Sequence, residues 1–99
     1  ADLKTKLDKA TTSIVLNIAE GNGRFTGADQ VKFYETAYKA TIRSASLVDL
    51  ATVSGTADEV HVEQGRELLR RIAAMITALS RRARNDTDTS SLSPTVVGM

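Results

Sequence analysis

Few side chains in this sequence suit covalent or acid–base chemistry, and they are dispersed. His61 is the one histidine and cysteine is absent, which rules out thiolate zinc sites, disulfides, cysteine nucleophiles and metal centres built on two histidines. A Ser-His-Asp arrangement would have to rest on His61 alone, and a surface or interface histidine is the simpler reading. The carboxylates are interleaved with cations, so no pair presents itself for general acid–base work. The chain is therefore expected to be no enzyme, to carry no catalytic, cofactor-binding or metal-binding residues, and to act on no small-molecule substrate. Catalysis would need a pocket joining Asn17, Glu20 and His61 around a perturbed carboxylate.

The remaining polar candidates point to bracing and recognition. Glu20 precedes Gly21 at what reads as a helix end, where the dipole disfavours an anion, and Arg24 is the nearest cation to offset it. Asn17 lies beside an apolar stripe, where an amide is costly unless hydrogen-bonded; it is expected to fix helix register. The run Gly21-Asn22-Gly23-Arg24 has the composition of an anion loop, but phosphate-cradling loops place their glycines after a strand and before a helix. With no strand ahead of it, the run reads as cap and turn geometry. Lys32, Lys39 and Arg43 line one edge of a helix, and the six arginines from Arg66 to Arg84 face only Glu67. In a chain of net charge +1, this local excess marks an anionic partner, with Lys32, Lys39, Arg43, Arg70, Arg81 and Arg84 as candidate RNA or DNA contacts. Tyr34 and Tyr38 are assigned to the other side of their helix from these cations, so base stacking is not expected.

Three segments must position these residues. Over residues 2–20, Leu3, Leu7, Ala10, Ile14 and Ile18 recur at helical spacing, and Gly21 is expected to close the helix in the left-handed cap conformation. Val15, Leu16 and Ala19 lie off that stripe, so the last turn is expected to be covered on more than one side. Residues 28–54 form a second helix, with Phe33, Ala37, Ala40, Leu47, Val48 and Ala51 on one face. Val31, Tyr34, Tyr38, Ile42 and Ala45 form a second face beside it. The combined arc of roughly 200° exceeds the stripe of about 100° on a simple surface helix, which predicts more than one neighbour. A third helix over residues 58–84 has Leu68, Leu69, Ile72, Met75, Ile76 and Leu79 as its core face. Its acids lie early and its arginines late, complementing the helix dipole.

Residues 85–99 are rich in Ser, Thr and Asp, contain Pro94, and are expected to form a mobile tail. No apolar run approaches the roughly 20 residues of a membrane span, and Ala1-Asp2-Leu3-Lys4 opens no signal-peptide pattern, so a cytoplasmic location is expected. The 99 residues, 41% hydrophobic and 25% charged, suit one small domain. A chain this short hides only about 60% of its unfolded surface, which favours self-association. The fold class is all-α.

The run Ser13-Ile14-Val15-Leu16-Asn17-Ile18-Ala19-Glu20-Gly21-Asn22-Gly23-Arg24 closely resembles the signature of bacterial four-helix-bundle proteins encoded within intervening sequences of large-subunit ribosomal RNA genes. Relatives of that family include accessory proteins of diversity-generating retroelements. Phe33-Tyr34, Ala37, Leu47-Val48-Asp49-Leu50 and Leu68-Leu69-Arg70-Arg71-Ile72-Ala73-Ala74-Met75 continue the likeness, which spans about residues 3–82. Val15 stands where many members have proline, and Ala40 and Arg43 stand near a serine and a glutamate of the family pattern. Members also begin with a further helix, which this chain starts too late to include. An apolar groove is expected in its place, filled by a lost segment, a symmetry mate or another chain.

The resemblance implies an antiparallel up-down four-helix bundle, three of whose long helices this chain supplies. Asn17, Glu20, Gly21, Gly23 and Arg24 are its signature positions. It also implies a ring-like homo-oligomer, a pentamer in relatives, and a basic surface that meets nucleic acid and a reverse transcriptase. Two readings of function follow. In one, an oligomeric scaffold presents basic helix faces to RNA, DNA or a nucleic-acid enzyme. In the other, the chain is a structural protein–protein interaction module, with Val31, Tyr34, Tyr38 and Ile42 as oligomer interface and the cations as a solvated face.

Overall fold

The computed structural model describes residues 2–92, with side chains to residue 86. Among them the chain is all-α, built of α1 (Asp2–Asn22), α2 (Gly27–Val53) and α3 (Glu59–Leu92) with no strand. None of these helices is long and apolar enough to cross a membrane.

The apolar stripe of α1 buries Ala10 and Ile14 and half-buries Leu3, Leu7 and Ile18. The helix runs through Gly21 rather than ending before it. Gly55, at φ 74°, is the one described residue with positive φ, so Gly21 is not the left-handed cap its position predicts. Its reason is closeness: a Cβ there would lie 2.7 Å from Tyr34 Cε1 and 3.2 Å from Phe33 Cβ. Glycine lets the last turn of α1 settle on α2. The chain then leaves the helix with Gly23 N donating to the carbonyls of Ala19 and Glu20 at 3.2 Å.

Thr26 starts α2 from an extended conformation, its hydroxyl accepting from Asp29 N at 3.2 Å, the ordinary N-cap arrangement. Inside α2 the buried residues are Tyr34, Ala37, Ala40, Thr41, Ser44 and Leu47. Most are small, which brings both neighbours close to the α2 backbone. The Thr41 and Ser44 hydroxyls donate to the Ala37 and Ala40 carbonyls at 2.9 Å, so their burial leaves no polar group unsatisfied. Ile14 of α1 and Ile76 and Ala83 of α3 join Tyr34, Ala37 and Ala40 in one core. Helix α2 packs against both others, whereas α1 and α3 scarcely meet. The Cα atoms occupy a slab of 60 × 20 × 13 Å.

Asp58 caps α3, its Oδ1 accepting from His61 N at 2.9 Å. The helix persists to Leu92, so residues 85–92 continue it instead of beginning a tail; residues 93–99 lie outside the described residues. Between Gly65 and Pro94 there is neither glycine nor proline to stop the helix. Arg81, Arg82 and Arg84 consequently sit inside α3, too far from its end for the dipole to explain them.

Two expectations of burial are also corrected. Leu68 and Met75 are 59% and 54% exposed, and Val15 and Leu16 are 67% and 58% exposed. Each outer helix packs mainly on α2, so its apolar surface beyond that contact stays open.

Candidate nucleic-acid interface

The signature residues build the corner between α1 and α2. Arg24 Nη2 donates to Glu20 Oε2 at 3.0 Å, and the guanidinium lies 4.6 Å from the centroid of the Phe33 ring. An exposed ion pair alone contributes little, but the aromatic face ties this one to α2 through a cation–π contact. Beside it, Tyr34 donates its hydroxyl to Asn22 Oδ1 at 2.5 Å, and burial pushes the phenol above its ordinary pKa. Asn17 donates to the Ser13 carbonyl and hydroxyl at 2.8 and 3.1 Å. Its amide is thus satisfied within α1 and makes no bond to a second helix among the described residues.

His61 is exposed, with Nδ1 2.6 Å from Asp58 Oδ2. Bonds from the His61 backbone and ring hold the Asp58 carboxyl below the usual range. Asn17 lines a depression on α1 with Thr5, Asp8, Lys9, Thr12, Ser13 and Leu16, and neither Glu20 nor His61 lines it. Among the described residues, no group of His, Asp and Glu side chains is placed to hold a metal ion.

The candidate phosphate contacts divide into two classes. Arg70 pairs with Glu67 at 2.8 Å and with Glu63 at 3.5 Å, Arg71 with Glu67 at 3.2 Å, and Arg66 with Asp49 at 2.6 Å. Hydrogen bonds from Arg71 and then Arg70 hold Glu67 below the usual carboxylate range. Arg84 has a looser partner, Glu35 at 3.5 Å. Lys32, Lys39, Arg43 and Arg81, joined by Arg82, are exposed and make no ion pair among the described residues. The apparent excess of arginine on α3 is therefore largely neutralised over residues 66–71, while the strip on α2 is not.

Between α2 and α3 runs a groove of about 400 Å³, lined by Glu35, Tyr38, Lys39, Ile76, Thr77, Ser80 and Arg84. Tyr38 thus stands beside Lys39 and Arg84, contrary to the expectation that the tyrosines of α2 face away from its cations. A wheel drawn for α2 alone separates these positions, but a neighbouring helix closes a groove that gathers positions from both its flanks. Farther along the same two helices, a depression of about 250 Å³ includes Ile42 and Arg70 among its walls. Of the candidate oligomer contacts, Tyr38 and Ile42 are 41% and 51% exposed, whereas Tyr34 is buried and Val31 packs against the core. Tyr34 therefore spends its surface inside the chain. Thr77 and Ser80 carry no sequence signal of their own; only packing distinguishes them.

The family model described as 23S rRNA-intervening sequence protein matches residues 1–78. The chain belongs to that family. No curated protein and no solved structure matches it. The family match takes in α1, α2, the signature corner and α3 as far as Ala78. Ser80, Arg81 and Arg84 lie beyond it.

Proposed function

We propose that the protein is a non-enzymatic, self-associating helical scaffold that holds RNA or DNA against the outer face of α2. The observation that carries this reading is the contrast in pairing: Lys32, Lys39 and Arg43 stand in a row without carboxylate partners among the described residues, while Arg66, Arg70 and Arg71 have them. Unneutralised cations in a row gain most from phosphate, because binding releases the condensed counterions. A nucleic-acid enzyme such as a reverse transcriptase, the partner the resemblance implies, would meet the same basic face. The reading places the protein in the cytoplasm with its nucleic acid.

The scaffold itself is read as an antiparallel up-down four-helix bundle. The pairs Asp49–Arg66 and Glu35–Arg84 set rising numbers of α3 against falling numbers of α2. The fourth position lies along the open sides of α1 and α3, where Leu68 and Met75 are exposed beside half-buried Ile72 and Leu79. Exposed apolar surface of this kind is normally covered by association. A closed homo-oligomer, with a pentameric ring as the form implied by resemblance, meets that need.

The test compares two charge-removing variants for binding a labelled single-stranded RNA. Lys32→Ala/Lys39→Ala/Arg43→Ala is expected to lose affinity and to flatten the plot of log affinity against log salt by about 2, at about 0.7 per phosphate contact. Arg70→Ala/Arg71→Ala is expected to bind nearly as the parent does. Equal losses in both variants, or in neither, would remove the strip from the account. Native mass measurement is expected to return a multiple of the protomer mass; a monomer at micromolar concentration contradicts self-association.

A further inference from the structure

The groove between α2 and α3 has features that a solvated basic face does not need. Ser80 is only 8% exposed, and its hydroxyl has no hydrogen-bond partner among the described residues. It is not sealed in, since no fully buried side-chain oxygen lacks a partner among those residues, and Ser80 is one of the residues that line the groove. One turn earlier, Thr77 donates its hydroxyl to the Ala73 carbonyl at 2.9 Å, which leaves its oxygen free to accept. Tyr38 forms the opposite wall with 41% of its surface exposed. Lys39 has no ion pair among the described residues, and Arg84 is held by Glu35 at 3.5 Å.

These groups match one nucleotide of a single strand. Lys39 and Arg84 against Glu35 leave one net positive charge, the complement of a phosphodiester, which carries one negative charge; a terminal phosphate would carry up to about two. The Tyr38 ring offers a platform on which a base can stack. The paired hydroxyls of Ser80 and Thr77, one of them nine-tenths buried and unpartnered, suit a ribose 2′-hydroxyl, which can both donate and accept.

We infer that this groove is a nucleotide subsite for single-stranded RNA, with the phosphodiester between Lys39 and Arg84, the base on Tyr38 and the ribose hydroxyl on Ser80. The inference rests on the nucleic-acid reading of the α2 face and adds to it a stacking platform and a preference for RNA over DNA. Since Ser80 and Arg84 lie beyond residue 78, the subsite depends on a part of α3 outside the family match.

The test measures binding of labelled oligoadenylate RNA, and of the DNA of the same sequence, by fluorescence anisotropy at low salt. Tyr38→Leu is expected to weaken RNA binding about tenfold, within the range of base–aromatic stacking, while leaving the salt dependence unchanged. Tyr38→Phe keeps the ring and should bind as the parent does. Ser80→Ala, a near-isosteric change, should narrow the RNA-to-DNA ratio without lowering DNA affinity. Circular dichroism establishes that each variant is folded. Parent-like RNA affinity in Tyr38→Leu, with binding lost in the Lys32/Lys39/Arg43 variant, would overturn the subsite and leave the basic face standing. Failure of the parent protein to bind either strand would overturn the nucleic-acid reading itself, and the subsite with it.

Discussion

Gly21 and Gly65 both lie inside helices, yet alanine should act on them in opposite directions. At Gly21 the new Cβ would fall 2.7 Å from the Tyr34 ring, and that ring is fixed by burial and by its bond to Asn22. Overpacking of about 1–3 kcal/mol exceeds the gain in helix propensity of about 1 kcal/mol, so Gly21→Ala should lower stability in urea unfolding. At Gly65 the nearest atoms are the Val48 methyls at 4.0 Å, an ordinary contact distance, so Gly65→Ala should raise stability by about 0.5–1 kcal/mol. The Tyr34 phenol supplies a pH test. Its folded pKa lies above the ordinary value of 10.0, so the fold favours the neutral form. That stability is complete below the ordinary value and is lost as pH rises through the raised one. Tyr34→Phe should remove this part of the alkaline unfolding limb, followed by circular dichroism against pH; an unchanged limb would assign it to another group. At this scale the Glu20–Arg24 pair was legible from spacing along one helix. The role of Gly21 was not, because it is set by a tyrosine from the next helix.

At the scale of elements, α2 holds the molecule together by being narrow. Ala37 and Ser44 are fully buried and Ala40 nearly so, which lets α1 and α3 converge on one helix. Ala37→Leu should cost about 1–3 kcal/mol by wedging them apart. Ser44→Ala should change stability by less than about 1 kcal/mol, since its hydroxyl bonds only to its own helix; urea midpoints of both variants check the pair. The three helices and their approximate starts were readable from periodicity and caps. The length of α3 was not, because the polar composition past residue 84 resembles that of a tail, although no breaker intervenes before Pro94. Nor could a single-helix wheel show that Leu68 and Met75 stay open: their exposure follows from which helices meet, and α1 and α3 scarcely do.

At the scale of the whole molecule, the near-neutral net charge of +1 conceals a division of labour. Carboxylates neutralise Arg66, Arg70 and Arg71, while Lys32, Lys39 and Arg43 make no ion pair among the described residues. The sequence showed where the cations are but not which had counterions, because Asp49 and Glu35 reach α3 only through the packing of α2. Exposed apolar side chains on all three helices, among them Leu16, Leu50 and Met75, give the same molecule reason to associate, and association would multiply each row of three cations. The most direct measurement is the affinity of the native protein for a single-stranded RNA over a series of salt concentrations. Binding is expected at low salt, with log affinity falling linearly against log salt at a slope of about −2 or steeper. A slope near zero, or no binding at the lowest salt, would contradict it.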